Sequence, residues 1–223
     1  METRTTEKLL SEAIQQRRAT PSFDGTAVPQ EDLKKILQAG LEAPSGYNLQ
    51  PWRFVVVRDP EARKRLRAAA KGQPKVEEAP VVIVACGDPE GWKGGDMEEM
   101  LRLADFIDEG TRSVIRQNLN NFLGAQPGDT GGVAPDFGLW VNRHTMIALT
   151  TMMWTAETLG YDTALMEGFS ESAVRQTLGM PDRIRVVALL AVGHLKGSDK
   201  PYGKRFAMER VVFNNKWGNG LKL

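Results

Sequence analysis

Ala43-Pro44-Ser45-Gly46-Tyr47-Asn48-Leu49-Gln50-Pro51-Trp52 joins a segment with helical spacing of apolar residues to one that reads as a strand. Pro44 ends the helix, because the residue before a proline is pushed out of the helical region. Gly46 lets the backbone lie close to whatever sits above it. Ser45, Asn48 and Gln50 contribute a hydroxyl and two amides, a set able to pair with a flat heterocycle that carries both donors and acceptors. Trp52 anchors the loop to the core. A plain connection needs none of this chemistry, so the segment reads as a shelf for a ligand.

Outward from the shelf, the periodicity predicts helices over 5–18, with Leu9, Leu10, Ala13 and Ile14 on one face, and over 29–41, with Leu33, Ile36, Leu37 and Leu41. A short strand follows at 54–57, a basic helix at 60–71 and a continuous apolar strand at 80–85. Residues 87–95 read as a loop and 97–123 as a mostly polar helix with little to commit to a core. The stretch 124–138 holds five glycines and two prolines. A buried helix is expected at 139–159, strands at 162–166 and 185–192 with a helix at 171–178 between them, and a last strand at 210–213. Few strands, long helices and one helix apolar enough to be central make the class α+β. Without repeats or linkers, residues 1–223 read as a single domain. Within it, 90–138 is an excursion that reads as a lid, and 206–223 is a tail with no core of its own that docks on another subunit.

Hydrophobic residues make up 41% and charged residues 26% of the 223, as in an ordinary globular protein. A net charge of +1 argues against a dedicated nucleic-acid surface. Cys86 is the only cysteine, so no internal disulfide forms, which fits a reducing compartment. The polar N-terminus has no signal-peptide core, and the most apolar segment, 140–159, carries Asn142, Arg143, His144 and Glu157. A cytoplasmic setting without membrane contact is expected.

No Gly-x-Gly-x-x-Gly follows an early strand, and no Walker-type Gly-Lys-Ser/Thr occurs, so neither a Rossmann site nor a P-loop is expected. His144 and His194 lie far apart, Cys86 has no partner at ligand spacing, and no Gly-x-Ser-x-Gly elbow is present. Positive signals lie elsewhere. Arg17-Arg18 closes the first helix, where two cations suit the helix dipole. Lys204-Arg205 is a second basic doublet, and the two could converge on one phosphate, which arginine binds through paired hydrogen bonds. Glu167-Gly168-Phe169 follows a strand and reads either as a tight turn or as backbone N–H groups shown to a ligand edge. Gln73 is a helix-end amide ahead of the strand at 80–85.

Taken in order, Arg17-Arg18, Pro-Ser-Gly-x-Asn-x-Gln-Pro-Trp at 44–52, Glu-Gly-Phe at 167–169 and Lys204-Arg205 resemble the FMN-dependent nitroreductase family, over roughly residues 8–212. The resemblance implies a three-layer fold with a central, mostly antiparallel sheet flanked by helices, in an intertwined homodimer holding FMN at the subunit interface. It implies that Arg17, Arg18, Lys204 and Arg205 serve the phosphate and the N1/O2 side of the flavin. Pro44, Ser45, Gly46 and Asn48 would come from the partner subunit, Glu167 and Gly168 would face N5, and Gln73 the pyrimidine edge. The sequence departs from the family pattern at Ala19 and Pro21, where a serine and a basic residue are usual; Thr20 or Ser22 is then expected to offer a hydroxyl to the phosphate. The implied activity is ping-pong hydride transfer from NAD(P)H through flavin N5 to a small electron acceptor such as a nitroaromatic or a quinone, with no catalytic side-chain acid. Tyr47, Trp92, Phe106, Phe122 and Phe137 are candidate lining groups. The alternative readings are a non-catalytic FMN-binding, storage or sensor protein, and a flavin-dependent reductive dehalogenase of the same fold. The dehalogenase is disfavoured because none of Tyr47, Tyr161 and Tyr202 lies in the lid segment.

Overall fold

In the computed structural model, which describes residues 8–124 and 136–222, the chain begins with helices α1 (Leu10–Gln16) and α2 (Gln30–Leu41). Strand β1 (Trp52–Val57), helix α3 (Pro60–Ala69), the single turn α4 (Lys75–Glu78) and strand β2 (Val81–Gly87) follow. Helices α5 (Met97–Leu103), α6 (Glu109–Leu123) and α7 (Phe137–Thr158) lead to β3 (Asp162–Met166), α8 (Glu171–Leu178), β4 (Arg185–Gly193) and the single turn α9 (Met208–Val211). Local chemistry sets several boundaries. The Asp59 carboxylate accepts from the Ala62 N–H at 2.8 Å ahead of Pro60, which starts α3. Gly179, at φ 66°, ends α8 in the left-handed conformation that a side chain resists.

The strands pair in the order β1-β2-β4-β3, antiparallel throughout, so β1 and β3 are the edges. Val82, Val84 and Cys86 of β2, with Leu189 and Ala191 of β4, pack against Leu66 of α3 and Val174 of α8. The alternate residues Val81, Ile83 and Ala85, with Ala188, Leu190 and Val192, pack against Ile36 of α2 and Leu149 and Met152 of α7. Cover on both faces explains why these two strands are apolar at nearly every position, where a half-exposed antiparallel sheet would alternate. The result is the expected α+β architecture in three layers, with α7 as the central helix.

The structure corrects several expectations. The described part of the first helix stops at Gln16, because Arg17 turns extended at φ −53°, ψ 131°; residues 5–7 lie outside the described part. The polar helix 97–123 is two helices. Asp108 breaks it by accepting from both the N–H and the hydroxyl of Thr111, at 2.9 and 2.7 Å, and so starts α6 afresh. These helices do commit to a core: Met97, Met100, Leu101, Leu119 and Leu123 bury themselves with Leu49 of the shelf. Trp92–Asp96 is a wide helical turn where a loop was expected, and α4 was not foreseen. The expected strand at 210–213 is instead α9 followed by a bridge from Phe213 to Gly220. Val211, Val212 and Phe213 have strand-forming side chains, but among the described residues the tail joins no edge of the four-stranded sheet, and the Val212 N–H closes a local turn on Met208 O at 2.8 Å. Most of the glycine-rich 124–138 lies outside the described residues, and α7 begins inside its end, at Phe137.

Candidate functional site

The free edge of β3 organises the candidate site. Beside it runs the extended segment 17–20, tied down by Thr20, whose N–H and hydroxyl both donate to Thr163 O at 3.1 and 3.0 Å. Arg17 and Arg18 therefore emerge at the start of β3. Arg18 Nη1 donates to the carbonyls of Gln15, Gln16 and Arg17 at 2.8, 3.0 and 2.9 Å, capping the end of α1 and fixing the base of the guanidinium. The second doublet reaches the same place from the far end of the chain. The Tyr202 ring centroid lies 4.5 Å from the Arg18 guanidinium carbon and 5.5 Å from that of Arg205. Lys204 sits between them in sequence at φ 53°, a left-handed conformation that a side chain adopts at a cost. Among the described residues no carboxylate pairs with Arg17, Arg18, Lys204 or Arg205. Like charges gathered without a directly paired carboxylate form a site for an anion.

At the other end of β3, about 13 Å along the strand from Thr163 by strand rise, lie exposed Glu167 and half-buried Gly168. Gln73 Nε2 donates to Gly168 O at 2.9 Å and to Ala70 O at 3.2 Å. The Gly168 N–H has no acceptor among the described residues. Gln73 departs from its expected role: its amide N–H2 is spent on fixing this turn, so it orients Gly168 instead of presenting that group to a ligand. Thr20 departs likewise, since its buried hydroxyl is committed to Thr163 O. The Ser22 hydroxyl donates to Glu78 Oε2 at 2.7 Å. Neither hydroxyl replaces the family serine, whose position is held by half-buried Ala19, so the anion site rests on its cations.

The shelf is bent sharply. Tyr47, Asn48 and Gln50 have φ of 54°, 56° and 47°, and Ser45 Oγ closes the bend by accepting from the Gln50 N–H at 3.0 Å. That bond leaves the Ser45 proton to donate outward, while Pro44 and Asn48 are exposed. Gly46 lies on α7: a Cβ there would come within 3.2 Å of both Trp140 Cζ2 and His144 Nε2. His144 Nδ1 donates to Trp140 O at 2.8 Å, which turns Nε2 toward the shelf. Tyr47 packs on Phe122 at 5.9 Å between centroids, and Trp92 on Phe137 at 6.4 Å. Four of the five candidate lining residues thus meet beside the shelf. Phe106 does not: it is 85% exposed and joins none of the apolar clusters described.

Within one protomer the shelf and the cations stand far apart. The shelf rests on His144, and the cation end of β3 on Glu157, thirteen residues further along α7 and so about 20 Å away. Glu157 is buried and accepts from the Thr163 hydroxyl at 2.6 Å. Burial raises its carboxyl from 4.5 to about 7; the Thr163 hydrogen bond opposes the rise, Asp162 adds to it, and Arg17 and Lys8 oppose it. The other unusual group, the Cys86 thiol, is pushed up to about 12 by burial and then by the charge of Glu171, so it offers no nucleophile. No helix among the described residues is long and apolar enough to cross a membrane. Tyr202, Trp140 and Glu157 were not singled out in the sequence; an aromatic three residues before Arg205 was the one available hint of the first.

The family model described as the nitroreductase family matches residues 14–194. A curated relative from Thermus thermophilus, named NADH dehydrogenase, is 35% identical over 200 residues, covering 90% of this chain and 93% of the relative. The crystal structure of ydfN from Bacillus subtilis superposes with a TM-score of 0.81 at 26% identity, over 92% of this chain and 97% of that one. An Exiguobacterium sibiricum protein solved in complex with FMN gives a TM-score of 0.80 at 23% identity, over 94% and 99% of the two chains.

Proposed function

The chain belongs to the nitroreductase family, and on that premise we propose that it is an FMN-dependent NAD(P)H oxidoreductase that works as a homodimer. The observation that carries this is the convergence of Arg18 and Arg205 on Tyr202 at one end of β3, with the Gly168 N–H, unpaired among the described residues, at the other. The arrangement fits FMN on its own terms: a cation cluster suits the phosphate, and the turn along the same strand edge suits a flat ring with polar atoms.

FMN, when bound, supplies hydride acceptance and donation at N5. Arg17, Arg18, Lys204 and Arg205 would hold the phosphate, with a grip that strengthens as water is excluded from around the charges. Gly168, steadied by Gln73, orients the ring through its N–H. The Ser45 hydroxyl and the Asn48 amide bind the ring's polar edge from the partner subunit. Tyr47, Trp92, Phe122 and Phe137 line an open apolar slot in which NAD(P)H and then a nitroaromatic or quinone acceptor bind in turn. Protons come from solvent, so no side chain serves as acid. Helices α5 and α6 form the lid over this slot.

Three observations support the homodimer. The shelf and the cations of one protomer lie at opposite ends of α7. The tail exposes Phe206, Val211 and Trp217, the last at 91%. A cavity of about 520 Å³ flanks the outer edge of β1, lined by Leu37, Leu41, Phe54, Val56, Met100 and Met152 and continuous with the shelf at Asn48, an apolar flank that a second chain could cover. The test is an absorbance scan of purified protein followed by steady-state kinetics. A visible flavin band that bleaches with NAD(P)H and returns with a quinone, and parallel double-reciprocal lines, are expected. A colourless protein that takes up no FMN would refute the assignment, and a flavin that NAD(P)H cannot bleach would mark a storage protein instead.

A further inference from the structure

We propose that Tyr202 is a positioning residue for phosphate recognition, its ring acting as the clasp that registers the C-terminal cations against Arg18. This rests on the FMN assignment above and deepens it. Arg18 is fixed, because one guanidinium nitrogen already holds three carbonyls at the end of α1. The arm that carries Lys204 and Arg205 is not. Residues 199–206 are exposed throughout, and the hydrogen bonds described for them, Lys200 N–H to Asp199 Oδ1 and Arg205 Nη1 to Lys204 O, stay within the segment. The contact that ties this arm to the first doublet is the Tyr202 ring, 4.5 Å from the Arg18 guanidinium carbon and 5.5 Å from that of Arg205. An aromatic ring draws a guanidinium through its quadrupole, so a single ring can hold two cations near each other where bare proximity would repel them. An acidic residue could do the same but would neutralise the charge that the phosphate needs. A tyrosine gathers the cations and leaves their charge available. The left-handed Lys204 then turns the chain so that its neighbour Arg205 comes back over the ring.

The test compares FMN with riboflavin, which has the same ring and no phosphate, by quenching of flavin fluorescence on titration with apoprotein. Wild type, Tyr202→Ala, Tyr202→Leu and Tyr202→Phe are measured, with far-UV circular dichroism as a check on folding. Tyr202 is 52% exposed, so the fold is expected to survive each change. Tyr202→Ala and Tyr202→Leu should weaken FMN by roughly tenfold, the loss of two exposed cation–π contacts, and leave riboflavin unchanged. Tyr202→Phe keeps the ring and should stay within about twofold of wild type. Three results would each overturn the clasp: unchanged FMN affinity in the alanine variant, equal loss of FMN and riboflavin, or a phenylalanine variant as weak as the alanine one. Wild-type protein that binds FMN no better than riboflavin would remove the phosphate assignment itself. Discrimination kept by every variant would remove the clasp alone.

Discussion

Glu157→Gln protein is expected to be more stable than wild type at pH 8 and indistinguishable from it at pH 4. An unfolded glutamate releases its proton near 4.5, whereas burial holds the native Glu157 carboxyl up to about 7. Between those values the unfolded chain binds fewer protons than the native one, so native stability falls as the pH rises. The stabilisation is complete below 4.5 and has been lost once the pH passes about 7. The span from 4.5 to about 7 corresponds to about 3 kcal/mol. Glutamine stays neutral throughout, and its side-chain oxygen can still accept from the Thr163 hydroxyl. Urea denaturation of the apoprotein at intervals from pH 4 to pH 8 measures the difference. Parallel profiles for the two proteins would mean that Glu157 is already ionised, held by Arg17 and Lys8.

Arg205→Ala should weaken FMN binding by about 1.5–3 kcal/mol, the worth of one hydrogen bond to a charged group, or roughly 10- to 150-fold in dissociation constant. Among the described residues Arg205 donates only to the neighbouring carbonyl of Lys204, at 2.6 Å, and packs on Tyr202, so its removal disturbs little of the fold. Exposed cations are screened by salt, so wild-type affinity should fall as ionic strength rises, and the variant's should fall less steeply. Flavin retention during gel filtration at limiting FMN, at low and at high salt, reads both effects. Unchanged occupancy at both salts would place the phosphate elsewhere.

The parts of the fold that were legible in the sequence are those where one requirement dominates. Val81 to Cys86 and Val186 to Val192 are apolar without alternation, which only a strand covered on both faces demands, and α7 is too apolar to lie anywhere but the centre. The shelf was legible because Pro44, Gly46 and Trp52 each constrain the backbone or its anchoring in a different way. The break at Asp108 was hidden because the residues on either side are all compatible with helix, and a single cap decides where one ends. The tail differs from expectation for the opposite reason: its β-branched residues favour a strand, but among the described residues its one partner is the isolated bridge from Phe213 to Gly220, too short to make one. Among the candidate site residues, the doublets are visible as charge, whereas Thr20 and Gln73 bond to Thr163 and Gly168, more than ninety positions away. Tyr202 and Glu157 matter only through what the fold sets beside them, and no spacing rule announces that.

The length of α7 between His144 and Glu157 bears on inheritance as well as on binding. If each flavin takes its shelf from one subunit and its cations from the other, a chain crippled at Arg205 and a chain crippled at Asn48 are each inactive alone, yet together they are not. In a mixed pair one pocket collects both lesions and its twin receives none, so two defective alleles expressed equally and pairing at random restore about a quarter of all sites.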